Sequence, residues 1–332
     1  MKRFNLLAVL GLSLLALSAC TTNKNEAAKD PVVAAKDIAV SLRDNDFDRL
    51  SHIAVPPDVY AKLEANYKQK SAKQHAPTAE ESKQFADNLA TYTAADAEQK
   101  LFAKVQPKLA EVGPQIPMYV AIGSGGLGQM IAQSDKLSAD EKTQANAALT
   151  AITKWATTAP LSDQEKAKQA IKVVVETVRS LNLTTLDAAQ KMSYPEMLQK
   201  AGAGIGGLRK MLAVYGLDTD KALDSVKVEK KSEDGDNAVV TVSFSLLDTP
   251  IKFDASMVRV DGRWYSKHSV DMANEMLAKQ AAETAPMQAA PAEAPAANAS
   301  SAMPAPGEQP APSASTDAPA SAASSAGEQP SN

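Results

Sequence analysis

The chain has 332 residues, a formal charge of −4 at neutral pH and only 5% aromatic side chains. It lacks the basic excess that attracts phosphate backbones, which argues against nucleic acid as a partner. Its single cysteine rules out an internal disulfide framework, so the folded part must be stabilised by a hydrophobic core.

In chain order the first element is an address. Lys2 and Arg3 precede an apolar run from Phe4 to Ala19 that is short for a membrane-spanning helix and patterned as a signal peptide. The run ends in Leu17-Ser18-Ala19-Cys20, which resembles the lipobox of bacterial lipoproteins. That resemblance implies cleavage before Cys20, a diacylglycerol on its sulfur and acylation (palmitate included) of the new amino terminus. Thr21, rather than Asp, follows the cysteine, and by the same resemblance the expected location is the outer membrane, facing the periplasm. Removal of residues 1–19 takes away Lys2 and Arg3 and moves the formal charge from −4 to −6. Residues 20–30 read as the lipidated cysteine and a polar tether, with the membrane a partner through the anchor.

Residues 31–216 read as a helical region. Asp30 and Pro31 open "VVAAKDIAVSL", whose apolar residues recur at helical spacing. Thr78 with Glu81, Ser138 with Glu141, Ser162 with Glu165 and Ser193 with Glu196 fit the S/T-x-x-E capping box. Similar openings, "LSADEK" at Leu137 and "LSDQEK" at Leu161, suggest an antiparallel helix pair. From Leu217 the pattern changes. "SVKVEKKSE", "NAVVTVSFSLL", "IKFDASMVRV" and "RWYSKHSV" read as four strands separated by "DGDN", "DTP" and "DG" turns. A helix over "DMANEMLAKQAAE" closes residues 217–284. Residues 285–332 are almost wholly Ala, Pro, Ser, Gly, Glu and Gln, and are expected to form a disordered tail. The expected class is α+β: a mostly helical amino-terminal two-thirds, then a four-stranded antiparallel sheet and a terminal helix.

"DGDNAVVTVSF" and "MVRVDGRWYS" are similar to the last strands of secreted lipoprotein domains with the nuclear-transport-factor-2-like cone fold. "VVAAKDIAVSLRDNDFDRL", residues 32–50, fits the helix around which such a sheet curls. The resemblance implies one cone domain built from 31–60 and 217–284, with a long helical insertion between them. Separate helical and sheet units are the other arrangement.

Two G-x-G-x-x-G spacings stand out, Gly123-Gly125-Gly128 and Gly202-Gly204-Gly207. A dinucleotide loop needs a strand before it, a helix after it and an acid about 20 residues on. Neither copy has that context, so no nucleotide and no other cofactor is expected. "GGLGQMIA" and "GGLRKMLA" share one pattern instead, and read as matching glycine-entry helices. Leu127, Met130 and Ile131, and likewise Leu208, Met211 and Leu212, fall on one helical face and are candidate partner-surface residues. Asp44, Asp46 and Asp48 have calcium-loop spacing, but Arg49 and Val55 occupy the positions that need Gly and Glu. His52, His75 and His268 are spread along the chain, and no catalytic set or metal site is expected. Trp264, Ser266 and His268 alternate onto one face of the expected last strand and are the candidate ligand-pocket residues. "YKQKSAKQH", residues 67–75, reads as a solvated loop.

Together these features lead to the expectation of a lipid-anchored bacterial envelope protein with a non-enzymatic binding or scaffolding role toward an envelope protein. The alternatives are a small-ligand or enzymatic cone pocket, and an immunity-type inhibitor of a periplasmic toxin.

Overall fold

The computed structural model describes residues 24–135 and 137–284; Cys20 with its lipobox and the tail 285–332 lie outside the described residues. Helix α1 (Pro31–Arg43) starts where Asp30 accepts the N–H groups of Val32 and Val33, at 2.9 and 3.0 Å, with Pro31 in the first turn. A tight turn leads to α2 (Phe47–Ala54) and α3 (Pro57–Lys73). Residues 67–73 are thus helical rather than looped: Lys, Gln and Ala sustain a helix, and no breaker intervenes before Gln74.

Helices α4 (Ala79–Thr93) and α5 (Ala97–Val112) follow, then a 3₁₀ turn at Gly113–Gln115 and α6 (Ile116–Gln133). Next come α7 (Ala139–Thr158), α8 (Gln164–Ser180), the short α9 (Leu186–Gln190), α10 (Tyr194–Val214) and α11 (Thr219–Asp224). Capping boxes form at Thr78/Glu81, Ser138/Glu141 and Ser193/Glu196. In each, the carboxylate is held below its ordinary range by the N–H and hydroxyl of the cap residue. The fourth expected box shifts by one residue. Asp163, not Ser162, caps α8 by accepting the Lys166 N–H at 2.8 Å. An aspartate at that position competes for the same orphan donors and carries the charge that favours a helix start.

Helices α7 and α8, whose openings look alike, do not form the expected pair. Helix α7 packs on α6 and the sheet, whereas α8 packs on α10, α5 and α4. The shared opening reflects capping chemistry, which acts within one turn and does not select a packing partner.

Strands β1 (Lys227–Asp234), β2 (Asn237–Leu246), β3 (Thr249–Val260) and β4 (Arg263–Ser266) form an antiparallel meander in that order. The expected DGDN and DG turns are in place, while the turn expected at Asp248–Pro250 falls at Leu247 and Asp248, with Thr249 and Pro250 already in β3. Leu247 and Asp248 in one hairpin, and Asp261 and Gly262 in another, have φ between 50° and 76°, as primed two-residue turns require. The chain then enters α12 (Lys267–Thr284) at once. Helix α1 lies on the sheet. Ala34 meets Val228, Ala238, Val240, Met257 and Trp264 in the principal core. Smaller clusters tie Ile53 of α2 to Tyr265, and Val55 and Val59 to Ala273 of α12. Each large apolar side chain so enclosed contributes roughly 1.5–3 kcal/mol. The described residues belong to one compact unit.

Candidate functional site

The two glycine runs sit inside helices α6 and α10, not at their entries, which corrects the glycine-entry reading. In α10 the glycines permit close approach. A Cβ at Gly202 would stand 2.1 Å from the Asn45 carbonyl oxygen, and one at Gly207 would stand 2.2 Å from the Thr177 hydroxyl. Gly206 meets the Asn45 side chain. Asn45 itself, at the turn between α1 and α2, has φ 56°, a left-handed conformation that asparagine tolerates better than most residues. The run therefore seats a turn and a neighbouring helix. In α6 the corresponding Gly125 and Gly126 meet nothing within 4 Å.

Arg209, which the sequence reading passed over, completes the α10 interlock. Its guanidinium donates to the carbonyls of Leu42 and Arg43, to Asn45 Oδ1 and to Thr219 Oγ1, at 2.7 to 3.2 Å, and it pairs with Asp220. Its side chain is 11% exposed, so the orphan carbonyls at the end of α1 are satisfied from a helix distant in sequence. Nothing local in the sequence signals this contact.

Beside that interlock lies an apolar pocket of about 400 Å³. Helix α1 supplies Ile38 and Leu42, α11 supplies Ala222 and Leu223, and the sheet supplies Val242, Phe244, Phe253, Ala255 and Met257. Phe244 and Phe253 meet edge to face at 6.5 Å. The register explains their convergence: Val242 pairs with Phe253, and Phe244 with Ile251. Period-two alternation along "VVTVSFSL" and "IKFDASM" is the signal from which these walls are readable. The size suits a small ligand.

Among the described residues Ser266, the last of β4, is the one polar side chain in the wall. Its hydroxyl accepts the Ser269 N–H at 3.3 Å, capping α12 and leaving its own proton as the donor on offer. The other two candidate pocket residues lie elsewhere. Trp264, 1% exposed, is sealed in the core under Arg259, whose guanidinium lies 5.5 Å from the ring centroid. His268 is in the first turn of α12 and exposed, because the chain turns helical at Lys267 and strand alternation stops there.

The histidines do not converge. His52 stacks on Tyr60 at 3.8 Å and its Nδ1–H donates to the Asp48 carbonyl, while His75 is exposed at the end of α3. Burial, reinforced by Asp48, Glu64 and Tyr194, pushes the Tyr60 phenol up to about 12. Tyr60 and Tyr67 both lean on Tyr194, so these rings join α3 to α10. Among the described residues no group of three or more His, Cys, Asp or Glu is placed to hold a metal ion.

The candidate partner-surface residues divide between two settings. Leu127 and Met130 of α6 and Leu208 of α10 are exposed, while Ile131, Met211 and Leu212 are half-buried. Because α6 packs on α7, and α10 on α8 and α2, the two triplets do not share neighbours as a matching pair would. No family model matches this chain, and no curated protein or solved structure is significantly similar to it.

Proposed function

We propose that this chain is a lipid-anchored binding protein of the bacterial envelope, held to the outer membrane through Cys20 and taking the apolar part of a small ligand without chemical turnover. The pocket between α1 and the sheet carries this reading. Among the described residues its walls are aliphatic and aromatic, and the polar side chain that lines it is a capping serine. Such a site gains affinity by removing apolar surface from water, at about 0.8 kcal/mol for each methylene enclosed, and the Ser266 hydroxyl can orient one polar group. The arrangement of α1 against the sheet is compatible with the cone-fold resemblance, in which that helix and sheet enclose the ligand.

The test is titration of the full chain with a fluorescent fatty acid. Ala39→Leu and Ala255→Leu fill the pocket, and Met272→Gln, on the exposed side of α12, serves as a control outside it. Loss of probe binding in the filled variants alone supports the reading; equal binding by all four proteins eliminates it. The anchor is tested separately. Cys20→Ser is expected to abolish incorporation of labelled palmitate into the protein, and a variant that still takes up the label overturns the lipobox assignment.

A further inference from the structure

Among the helices of the described residues, α6 stands apart. Its 18 residues, "IPMYVAIGSGGLGQMIAQ", contain no Asp, Glu, Lys, Arg or His, and none is fully buried. Met118, Tyr119, Ile122, Leu127 and Met130 are each between 51% and 69% exposed. One side rests on α7, where a Cβ at Gly128 would stand 3.8 Å from Leu149, while Gly123 and Gly126 face open space. A helix apolar all round is ordinarily enclosed all round, and an exposed apolar patch of this kind ordinarily marks an interface.

Charge selects among the possible occupants. A helix that lies in a lipid surface carries Lys or Arg on its polar face, and α6 carries neither. Contacts between unrelated proteins are on the whole about as polar as the rest of the surface, whereas homodimer contacts are more apolar, and α6 carries no charge. Two copies of an acidic chain face the opposite demand. A two-fold contact brings the same patch of each copy together, and any charge near the axis meets its own image. An uncharged helix on a chain of formal charge −4 meets that demand.

We infer that α6 is the contact between two copies of this chain, packed helix against helix across a two-fold axis. The five side chains offer on the order of 500 Å² of apolar surface per copy, and the open glycines let a facing backbone approach. A standard interface takes about 800 Å² from each partner, so a reversible dimer with Kd on the order of micromolar is expected.

The experiment uses the full membrane-anchored chain, whose only cysteine is Cys20. Single variants Met118→Cys, Ile122→Cys, Leu127→Cys and Met130→Cys are oxidised in membranes, with the parent chain as background. Met272→Cys, 55% exposed on α12, is the surface control. The expected result is a homodimer, identified by mass, at one or more α6 positions and not at 272. The purified full chain should also sediment as a concentration-dependent dimer. Ile122→Glu with Met130→Glu should raise its Kd at least tenfold while leaving far-UV circular dichroism unchanged. Cross-linking at 272 as strong as at α6, adducts to a different protein, or a monomeric wild-type chain at about 100 μM would each overturn the inference.

Discussion

Gly207 and Gly126 occupy the same motif and face opposite environments. At Gly207 an added methyl would meet Thr177, whose hydroxyl is fixed by donation to the Val173 carbonyl at 2.7 Å, so the side chain cannot rotate away without losing that bond. Gly207→Ala should therefore overpack α10 against α8 and destabilise the fold by about 1–3 kcal/mol. At Gly126 nothing lies within 4 Å, and the glycine only weakens its helix. Gly126→Ala should raise monomer stability by roughly 0.5–1 kcal/mol, through a smaller entropy loss on folding. Urea unfolding of both variants, at concentrations well below self-association, reads the two signs. Stabilisation by Gly207→Ala would mean that α10 is not packed on Thr177 as described, and destabilisation by Gly126→Ala would mean that Gly126 is not open.

At the scale of elements, the junction of α1 and α2 is where local and distant forces meet. Asp46 caps α2 by accepting the Arg49 N–H at 3.0 Å and pairs with Lys24 at 3.0 Å. Burial acts to raise its pKa, but the Arg49 N–H and the Lys24 and Arg49 charges together hold it below the ordinary 3.8. A carboxylate depressed in the folded state stabilises the fold above its unfolded pKa, and that contribution disappears as pH falls through the folded value. Asp46→Asn preserves a good cap and removes the charge. The variant should be less stable than the parent near pH 6 and approach it near pH 3. A stability gap that stays constant or widens on acidification would show that the charge of Asp46 does not contribute. This junction also shows what the sequence makes legible. Asp30 and the three capping boxes lie within a turn of the groups they satisfy, so spacing reveals them, whereas Asp46, read only for calcium-loop spacing, is shown as a cap by the structure. Turn residues and period-two alternation likewise reveal the meander. Arg209 and the seats at Gly202 and Gly207 depend on residues up to 167 positions away, and spacing carries no trace of them. His268 lies off the strand because β4 ends at Ser266, which caps the helix that begins directly after it.

For the whole molecule the question is whether helices and sheet unfold together. Helix α1 packs on β1, β2 and β4, α7 packs on β3, and the Gln144 side chain accepts the Lys252 N–H at 2.9 Å. Arg209 ties the end of α1 to α10, so an opening at the sheet propagates into the helical region. The chain carries two tryptophans, one reporting from each part. Trp155 of α7 donates its indole N–H to the Tyr215 carbonyl at 2.9 Å, and Trp264 is enclosed between α1 and the sheet. Trp155→Phe leaves the sheet reporter, and Trp264→Phe leaves the helical one. In each variant the fluorescence transition in urea should coincide with the loss of helical circular dichroism, as all-or-none unfolding requires. Trp264→Phe should have the lower midpoint, because it leaves a gap in a core residue that is 1% exposed. If instead the Trp264 signal were lost at one urea concentration and most of the helix at another, residues 31–216 and 217–284 would be separate folding units. The pocket between α1 and the sheet would then open independently of most of the helical region.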